Sequence, residues 1–426
     1  MKGENDMEDI RDAAWRGYLR QNGMKGIRNK LLVIYTVKCS AHVAKEIARL
    51  SDDKNVETVG FDGCCDNEYA VRLLLALARH PNVGAVLAVG LGCEYVQAKL
   101  LAEKARESGR LSGWFLIQEH GGTLPSIRYG LDQVKNMLEE LKRTPIAPMG
   151  FRDLIVGAEC GGSDYTSGLA GNVLVGRFYD RMVDLGGTAI FEEIVEAVGL
   201  KSMLEGRAAD EKARAQLAAA YDKALEYCKS VRQYSVSPGN FAGGLSSIEE
   251  KSMGALAKSG SRPVKGVLKV SQTPPGPGLW LLDSTPDPCW MGFGYTNPND
   301  SEGLMDLISC GAQLVFLVTG RGNVVGSAVS PVFKITGNSS TFRRMSGDMD
   351  FDAGPALSGE LTLDELCGRL FGEIARVCSG AETNAGKLGH KEYFIPYKYQ
   401  EKEAGFHPKC REAGPLSGPS KIRVRI

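Results

Sequence analysis

Short apolar runs alternate with helix-periodic segments along the first third of this 426-residue chain. The apolar runs are rich in β-forming residues, and they lie at 31–36, 56–61, 83–89 and 114–118. Each is followed by a segment with apolar residues at helical spacing, at 41–50, 67–79, 96–107 and 124–141. Strands that alternate with helices usually pair in parallel. The pattern therefore predicts a Rossmann-like, doubly wound parallel sheet over residues 31–145, after a polar N-terminal lead-in at 1–30.

A second strand–helix series follows a stretch with two prolines at 144–148, which is predicted to be a linker. Strands are predicted at 153–158, 188–191 and 314–319, and helices at 208–231, 246–258, 304–309 and 363–378. The sequence after about residue 330 is rich in glycine. Residues 150–426 are therefore predicted to form a second α/β domain, the catalytic one, with a glycine-rich C-terminal part.

Composition narrows the classes of protein that the chain could represent. Lys and Arg total 51, and Asp and Glu total 51, so the net charge gives no reason to expect nucleic acid or an anionic membrane as a partner. No apolar run reaches the roughly 18 residues of a membrane span, and the polar N-terminus does not resemble a secretory signal. The eleven cysteines, an odd number in a long chain, predict reduced thiols and a cytoplasmic protein.

Three cysteines next to glycine lie at or just beyond the ends of predicted strands: Cys64, Cys93 and Cys160. Because the carboxyl ends of parallel strands meet at one edge of a sheet, these thiols are candidates for a common site. Thiolates bind zinc, iron or iron–sulfur clusters. Free cysteines also pack as small apolar groups, and no C-x-x-C spacing decides between the two interpretations. Cys39 is a fourth candidate, and the sequence does not distinguish Cys64 from Cys65.

Three glycine turns also follow predicted strands, and backbone N–H groups in such turns bind anions. They span 118–123, 160–164 and 319–323. Arg321 could bind a carboxylate with both arms of its guanidinium group. None of the turns has the G-x-G-x-x-G or Walker spacing, which disfavours nucleotides, so a small anionic ligand is predicted. The predicted substrate contacts in these turns are Gln118, Gly121, Gly122, Thr123, Gly161, Gly162, Ser163, Thr319, Arg321 and Gly322.

Candidate proton-transfer groups lie close to these motifs. Glu94 follows Cys93, Asp164 ends the Cys160 turn, and Lys251 lies near the first turn of a predicted helix, where the helix dipole disfavours a cation. The alternating acids at 348–352 could bind a hard cation or form a solvated loop. His120 is the one histidine within a glycine turn, and a general-base role is a further hypothesis for it.

Taken together, these motifs resemble the altronate and galactarate dehydratases and the large subunit of sulfolactate sulfo-lyase. The matching segments run through most of the chain, at 26–29, 36–40, 80–84, 90–94, 118–123, 160–164, 237–240, 319–322, 334–338, 348–350 and 379–380. The resemblance implies an iron-dependent lyase (Fe²⁺ or an iron–sulfur cluster) with Cys64, Cys93 and Cys160 as metal ligands. It adds Asn240, Lys334 and Asn338 to the substrate contacts, and it implies that water is eliminated from a sugar acid to give a 2-keto-3-deoxy acid.

Two departures from the family pattern bear on substrate and partners. The dehydratase pattern has a histidine-bearing turn of the H-G-C-G type. This chain has Asp62-Gly63-Cys64-Cys65 at that place instead. That difference favours the sulfo-lyase branch as the alternative, with sulfite leaving from a sulfolactate-like substrate. The small N-terminal domain of the dehydratases is not found in this sequence, and the sulfo-lyase carries it as a separate subunit. A separately encoded small partner and an oligomer are therefore expected.

The implied reaction is a β-elimination from a small anionic hydroxy acid. A base removes the proton next to the carboxylate, the β-substituent leaves, and the resulting enol becomes a 2-keto acid. Two other classes remain as alternatives. One is a redox enzyme on the Rossmann-like half, which the missing dinucleotide fingerprint disfavours. The other is a non-catalytic subunit of such a complex.

Overall fold

A computed structural model describes residues 13–64, 67–231, 237–286 and 299–398 of the chain. In chain order its strands are β1 (Trp15–Leu19), β2 (Lys25–Gly26), β3 (Lys30–Tyr35), β4 (Val56–Gly60), β5 (Val83–Gly90), β6 (Leu111–Leu116), β7 (Ile146–Met149), β8 (Ile155–Cys160), β9 (Thr188–Phe191), β10 (Val264–Lys269), β11 (Gly278–Asp283), β12 (Leu314–Thr319), β13 (Val332–Thr336) and β14 (Phe351–Asp352).

The α-helices are α1 (Ala41–Leu50), α2 (Glu68–Ala78), α3 (Ala98–Glu107), α4 (Thr123–Leu141), α5 (Asn172–Asp184), α6 (Lys201–Gly206), α7 (Glu211–Val231), α8 (Pro238–Ala242), α9 (Ile248–Ala257), α10 (Asp300–Ser309), α11 (Ser339–Arg344), α12 (Pro355–Ser358), α13 (Leu363–Cys378) and α14 (Asn384–Leu388). No helix of the described residues is long and apolar enough to cross a membrane.

The first sheet confirms the predicted doubly wound α/β pattern. It has four parallel strands in the order β4-β3-β5-β6. Because side chains alternate between the faces of a strand, Leu32 and Ile34 of β3 join a core with α2 and α3, whereas Leu31 and Val33 join a core with α1 and α4. Burial on both faces explains why these strands read as nearly continuous apolar runs.

The second sheet has seven parallel strands in the order β10-β11-β9-β8-β12-β13-β14. The predicted strands at 188–191 and 314–319 have the observed bounds, and the predicted strand at 153–158 is β8 displaced by two residues. The sequence pattern missed the two-residue β14 and the longer strands β10, β11 and β13. The three longer strands are buried or half-buried parallel strands, and β10 and β11 flank the Pro/Gly loop at 272–277.

Residues Ile146–Met149, which overlap the predicted linker at 144–148, form β7. This strand pairs with β1 of the lead-in, and β1 also pairs with β2, in a three-stranded antiparallel sheet. Pro148 has no backbone N–H group to donate. It is tolerated because β7 is an edge strand of that sheet, and no strand on its open side needs a hydrogen bond from it. The lead-in is therefore partly structured over the residues described.

Helix α10 joins the two parallel sheets into one molecule. Its apolar residues Leu304, Leu307 and Ile308 share a core with α2 and α3 of the first sheet and with β8 and β12 of the second. The hydroxyl group of Tyr69 on α2 also hydrogen bonds to the carboxylate of Asp306 on α10. The N-terminal turn of α10 is thereby fixed at the carboxyl edge of the seven-stranded sheet.

Candidate active site

A cavity of about 260 Å³ lies at the carboxyl ends of β8, β9 and β11, against the first two turns of α10. This acidic pocket is lined by residues that end strands or directly follow them, including Glu159 and Cys160 of β8 and Ser284 after β11. Ligands of open α/β sheets bind in this position, because the strand-to-helix turns open there. The pocket is therefore the candidate active site.

Seven carboxyl groups line the acidic pocket: Glu159, Glu192, Glu193, Glu196, Asp300, Glu302 and Asp306. Among the described residues, three lysines form ion pairs with them. Lys251 pairs with Glu196, Lys258 with Glu193, and Lys398 with both Glu302 and Asp306. If all the carboxyl groups ionise, four of the seven negative charges are not balanced by an ammonium group. Buried charge without compensation is costly, so these carboxyl groups must either take up protons or be compensated by a bound cation.

Glu193 links the acidic pocket to Cys160. Its carboxylate accepts a hydrogen bond from the backbone N–H of Cys160 at 3.0 Å and forms an ion pair with Lys258. The ammonium group of Lys258 in turn donates to the Cys160 sulfur at 3.2 Å. Glu193 also has a left-handed backbone (φ 73°, ψ 42°), which is uncommon for a residue with a side chain.

Burial and mutual repulsion raise the pKa of several of these carboxyl groups. Burial, with the charge of Glu192 second, raises the pKa of Glu159 well above its usual range. Burial likewise raises the pKa of Asp300, and it raises the pKa of Glu302 to about 7, against the opposing effect of Lys398. Groups with pKa values displaced towards neutrality are typical of sites that transfer protons or bind cations.

Two overlapping groups of ligand atoms in the pocket have the spacing that a metal ion requires. Cys160, Glu193 and Glu196 form one group, and Glu159, Glu192 and Glu193 form the other, with the atoms of each within 4.8 Å of one another. One carboxylate oxygen of Glu159 and one of Glu196 have no hydrogen-bond partner in the described structure. Buried oxygens without partners are rare in folded proteins, so both are available to a ligand.

Gly303 of α10 leaves the space that the Glu159 carboxylate occupies, since a Cβ atom there would lie 2.6–2.7 Å from its carboxyl atoms. We expect Gly303→Ala to displace Glu159 and to weaken metal binding and activity at least about tenfold, as loss of a supporting contact at a metal site does.

Gly368→Ala in α13 is the matched control. A Cβ atom there meets nothing within 4 Å, so the change should stabilise the protein by about 0.5–1 kcal/mol. Equal metal affinity in the two variants, by calorimetric titration, would contradict this role for Gly303.

The raised pKa of Glu302 predicts how the metal-free protein responds to pH. The unfolded side chain ionises near pH 4.5 and the folded one near pH 7, so the folded protein binds more protons between these values. Its unfolding free energy should therefore fall by about 2–3 kcal/mol as the pH rises from 4.5 to 7. A bound divalent cation should reduce this loss, and Glu302→Gln should remove the part that Glu302 contributes. Urea unfolding across this pH range, with and without cation, measures the effect. A flat profile for the metal-free protein would contradict it.

Six of the residues predicted from the sequence line the acidic pocket: Cys160, Gly161, Gly162, Ser163, Asn240 and Lys251. The side-chain amide of Asn240 donates to the carbonyl oxygen of Ser163 at 2.9 Å, which holds the glycine turn against α8. Gly161 allows the Asp300 carboxylate to approach closely, since a Cβ atom would lie 2.3 Å from it. Cys160 and Lys251 also line an adjoining, mainly apolar cavity of about 270 Å³.

Three further predicted residues, Thr319, Arg321 and Gly322, support the turn at 161–164 from behind. The backbone N–H of Arg321 donates to the carbonyl oxygen of Gly162 at 3.0 Å, and the Thr319 hydroxyl accepts from the N–H of Gly322 at 2.8 Å. The Asp164 carboxylate lines the apolar cavity and accepts from the N–H and hydroxyl groups of Thr166, at 2.8 and 2.6 Å. These contacts fix the shape of the turn.

Lys334 and Asn338 lie away from the pocket. Lys334 on β13 is fully buried, with its ammonium group 3.3 Å from His390, and burial lowers its pKa. The side chain of Asn338 caps α11 by accepting from the N–H groups of Ser340 and Thr341. The backbone N–H of Lys334 donates to Asp350 at 2.8 Å, so that acid of the 348–352 motif holds β13.

The predicted residues of the first domain gather at the carboxyl edge of the four-stranded sheet and do not line the acidic pocket: Cys64, Cys93, Glu94, Gln118, Gly121, Gly122 and Thr123. Cys64 and Cys93 are exposed, and Cys65 lies outside the described residues. The buried carboxylate of Glu94 accepts from the Thr36 hydroxyl at 2.6 Å and from the N–H groups of Leu91, Gly92 and Cys93. These bonds favour a loop-holding role for Glu94.

The sequence-based reasoning missed most of the acidic pocket. Glu159 stands directly before Cys160, and Glu192 and Glu193 directly follow the predicted strand at 188–191. The strand-end rule that selected the cysteines would also have selected these carboxylates. No comparable signal identified Lys258. Nothing in the local sequence predicts that a lysine directly after α9 is buried, yet Lys258 is only 1% exposed.

Comparison with known proteins adds independent information. Two family models match the chain: D-galactarate/altronate dehydratase, C-terminal, over residues 151–401, and D-galactarate dehydratase/altronate hydrolase, second domain, over residues 17–142. The (2R)-sulfolactate sulfo-lyase subunit beta of Chromohalobacter salexigens is 30% identical over 409 residues, which cover 92% of this chain and 99% of that protein. Altronate dehydratases of Bacillus subtilis and Escherichia coli are 30% and 31% identical, over 89% and 86% of this chain and 77% and 74% of their own lengths.

Proposed function

This chain belongs to the D-galactarate/altronate dehydratase family, and from that premise we propose that it is a metal-dependent lyase that eliminates water from a sugar acid. The observation that carries the proposal is the acidic pocket, in which a buried thiol and buried carboxylates converge at the strand ends. Related proteins with the names altronate dehydratase and galactarate dehydratase cover most of this chain, which supports the hydro-lyase reaction class.

The pocket residues fit a bound cation on chemical grounds. Cys160, Glu193 and Glu196 would hold it, because their ligand atoms lie within 4.8 Å of one another and one oxygen of Glu196 has no other partner. One thiolate with two carboxylates suits Fe²⁺, whereas a cluster takes mostly thiolates. We therefore propose mononuclear iron as the resident metal. When bound, it would supply Lewis-acid stabilisation of the negative charge that develops on the substrate.

Lys251 is proposed to deliver a proton to the departing hydroxide. Burial opposes its charge, but the ion pair with Glu196 raises its pKa above the usual value, so the ammonium form persists at neutral pH. A protonated group is a donor, and hydroxide leaves poorly without one. Delivery of that proton releases water and leaves an enol that becomes a 2-keto acid.

Asp300 is proposed to remove the proton next to the substrate carboxylate. It lines the pocket, remains partly exposed to it, and belongs to neither group of candidate metal ligands. Its carboxylate accepts from the Asn323 side chain at 2.5 Å, and burial raises its pKa towards the working pH of a general base. The N–H groups of Gly162 and Ser163 in the glycine turn would hold the substrate carboxylate, whereas that of Gly161 donates to the carbonyl oxygen of Val318.

A second candidate reaction is elimination of sulfite from a sulfolactate-like substrate. The observation that favours it is the match to the (2R)-sulfolactate sulfo-lyase subunit beta, which is 30% identical over 92% of this chain. A protein with the name subunit beta has at least one further subunit, so a small partner subunit is part of this candidate function.

Anaerobic assays decide between the two reactions. The purified protein with Fe²⁺ is incubated with altronate, galactarate or (2R)-sulfolactate, and 2-keto acid and sulfite are measured. A 2-keto acid without sulfite from a sugar acid supports the hydro-lyase, and sulfite supports the alternative. Absence of both products from iron-loaded protein, alone and with a co-expressed small subunit, would refute the proposed lyase activity.

Lys251→Met should separate the two chemistries as well. If hydroxide leaves, we expect a loss of about 10²-fold in kcat, because the proton donor is missing. If sulfite leaves, the loss should be much smaller, since sulfite departs without protonation. Lys223→Met, at a lysine of α7 paired with Asp283 and not lining the pocket, is the control. An unchanged kcat for hydroxide elimination would exclude Lys251 as the donor.

A further inference from the structure

We propose that the acidic pocket binds a second, hard divalent cation of the Mg²⁺, Mn²⁺ or Ca²⁺ class. Glu159 and Glu192 would be its dedicated ligands, and Glu193 would be shared with the iron site. The proposed function requires one metal ion. The second site goes beyond that function and rests on it only because Glu193 would be a ligand in both sites.

The first observation is the arrangement of three buried carboxylates. Ligand oxygens of Glu159, Glu192 and Glu193 lie within 4.8 Å of one another, and the three residues are 4%, 6% and 8% exposed. One oxygen of Glu159 has no hydrogen-bond partner in the described structure, while the Ser284 hydroxyl donates to Glu192. Carboxylates so close together repel one another unless a cation lies between them.

The second observation is the position of the lysines. In the described part of the pocket, lysines form ion pairs with four carboxylates: Glu193, Glu196, Glu302 and Asp306. No ion pair with a lysine or arginine is formed there by Glu159, Glu192 or Asp300. If the carboxyl groups of Glu159 and Glu192 both ionise, a divalent cation between them would compensate two negative charges that no lysine or arginine pairs with in the described pocket.

The third observation is that the backbone is built around the Glu159 carboxylate. Gly303 lies in the interior of α10, where glycine costs about 1 kcal/mol relative to alanine, and a Cβ atom at this position would strike both carboxylate oxygens. Glu193, the shared ligand, has the left-handed backbone. Unfavourable local choices at both places indicate a geometry that is maintained for a ligand.

The two ligand groups differ in chemistry, which makes them separable. Glu159, Glu192 and Glu193 offer oxygen atoms alone, the donors that hard cations prefer. The other group contains the Cys160 sulfur, which selects softer ions. Ca²⁺ should therefore report on the proposed second site, and Cd²⁺ on the thiol-containing site.

The test is calorimetric titration of metal-free protein with Ca²⁺, with Cd²⁺, and with each ion after saturation with the other. We expect one equivalent of each, bound together. Glu159→Gln and Glu192→Gln should weaken Ca²⁺ at least about tenfold and Cd²⁺ less than threefold, whereas Cys160→Ser should do the reverse. Glu57→Gln, which neutralises a buried carboxylate of the first sheet, is the matched control and should change neither affinity.

Three outcomes would overturn the second site. If Ca²⁺ and Cd²⁺ compete for a single equivalent, the whole cluster is one centre. If only Cd²⁺ binds, Glu159 and Glu192 share a proton instead of a cation, and the proposed iron site stands. If neither ion binds to folded protein, both the second site and the metal dependence of the proposed function fail.

Discussion

Glu193→Gln should nearly abolish activity, and because it leaves the buried Lys258 ammonium group without its carboxylate partner it should also lower the unfolding free energy. The glutamine has the same shape and accepts the same left-handed backbone, but it removes the negative charge that the two groups of candidate metal ligands have in common. Loss of Lewis-acid stabilisation costs several kcal/mol, so kcat/KM should fall by roughly 10³-fold, with metal content reduced in parallel. Steady-state kinetics and elemental analysis of the anaerobically purified variant measure both quantities.

A suitable control for Glu193→Gln is Asp52→Asn. Asp52 is another acidic residue with a left-handed backbone, but it is exposed and lies in the turn after α1. Its neutralisation should leave metal content and kcat/KM unchanged. A folded Glu193→Gln protein with near-normal activity would show that the acidic pocket is not the catalytic site.

Lys398→Met should give the largest loss of stability of any single substitution considered. The Lys398 ammonium group lies 2.8 Å from Glu302 and 3.1 Å from Asp306, and its side chain is 6% exposed. Removing one partner of a buried ion pair leaves uncompensated charge, which costs about 3–5 kcal/mol. The unfolding free energy at pH 8, from urea denaturation, should fall by that amount.

The pH dependence of the Lys398→Met effect follows from the same pairing. Without the lysine, the pKa values of Glu302 and Asp306 should rise further, so the folded protein takes up protons as the pH falls. The penalty should therefore be smaller at pH 5.5 than at pH 8. Lys391→Met is the matched control in the same segment. Lys391 is half-exposed and shares Glu57 with Lys30, so its loss should cost less than about 1 kcal/mol. Equal penalties for the two variants would contradict the assignment.

Much of the fold could be predicted because the signals are local. The helix predicted at 41–50, the strands at 188–191 and 314–319 and the helix at 363–378 have the observed bounds. Apolar spacing reports which side of a segment is buried, and this is a property of the segment itself. Strand β7, which overlaps the predicted linker at 144–148, was missed because it is a short edge strand whose partner, β1, is some 130 residues earlier in the chain.

The candidate site could be predicted in part, for the same reason. Cys160, its glycine turn and Lys251 were identified from strand ends and local motifs, Asn240 was identified from the family resemblance, and the structure brings them into one pocket. The thiol set of Cys64, Cys93 and Cys160 remains a sequence-based prediction, with the first two residues exposed at the edge of the other sheet.

The sequence by itself determined the α/β alternation, the glycine turns at strand ends and the family. The tertiary structure alone decided which charges meet. Glu159, Glu193, Glu302 and Lys398 come from four separate segments, and they converge because β8 and β9 are neighbours and α10 packs across their ends. Local periodicity records whether a residue is buried, but the partner of a buried charge depends on strand order and helix packing, which no single segment encodes.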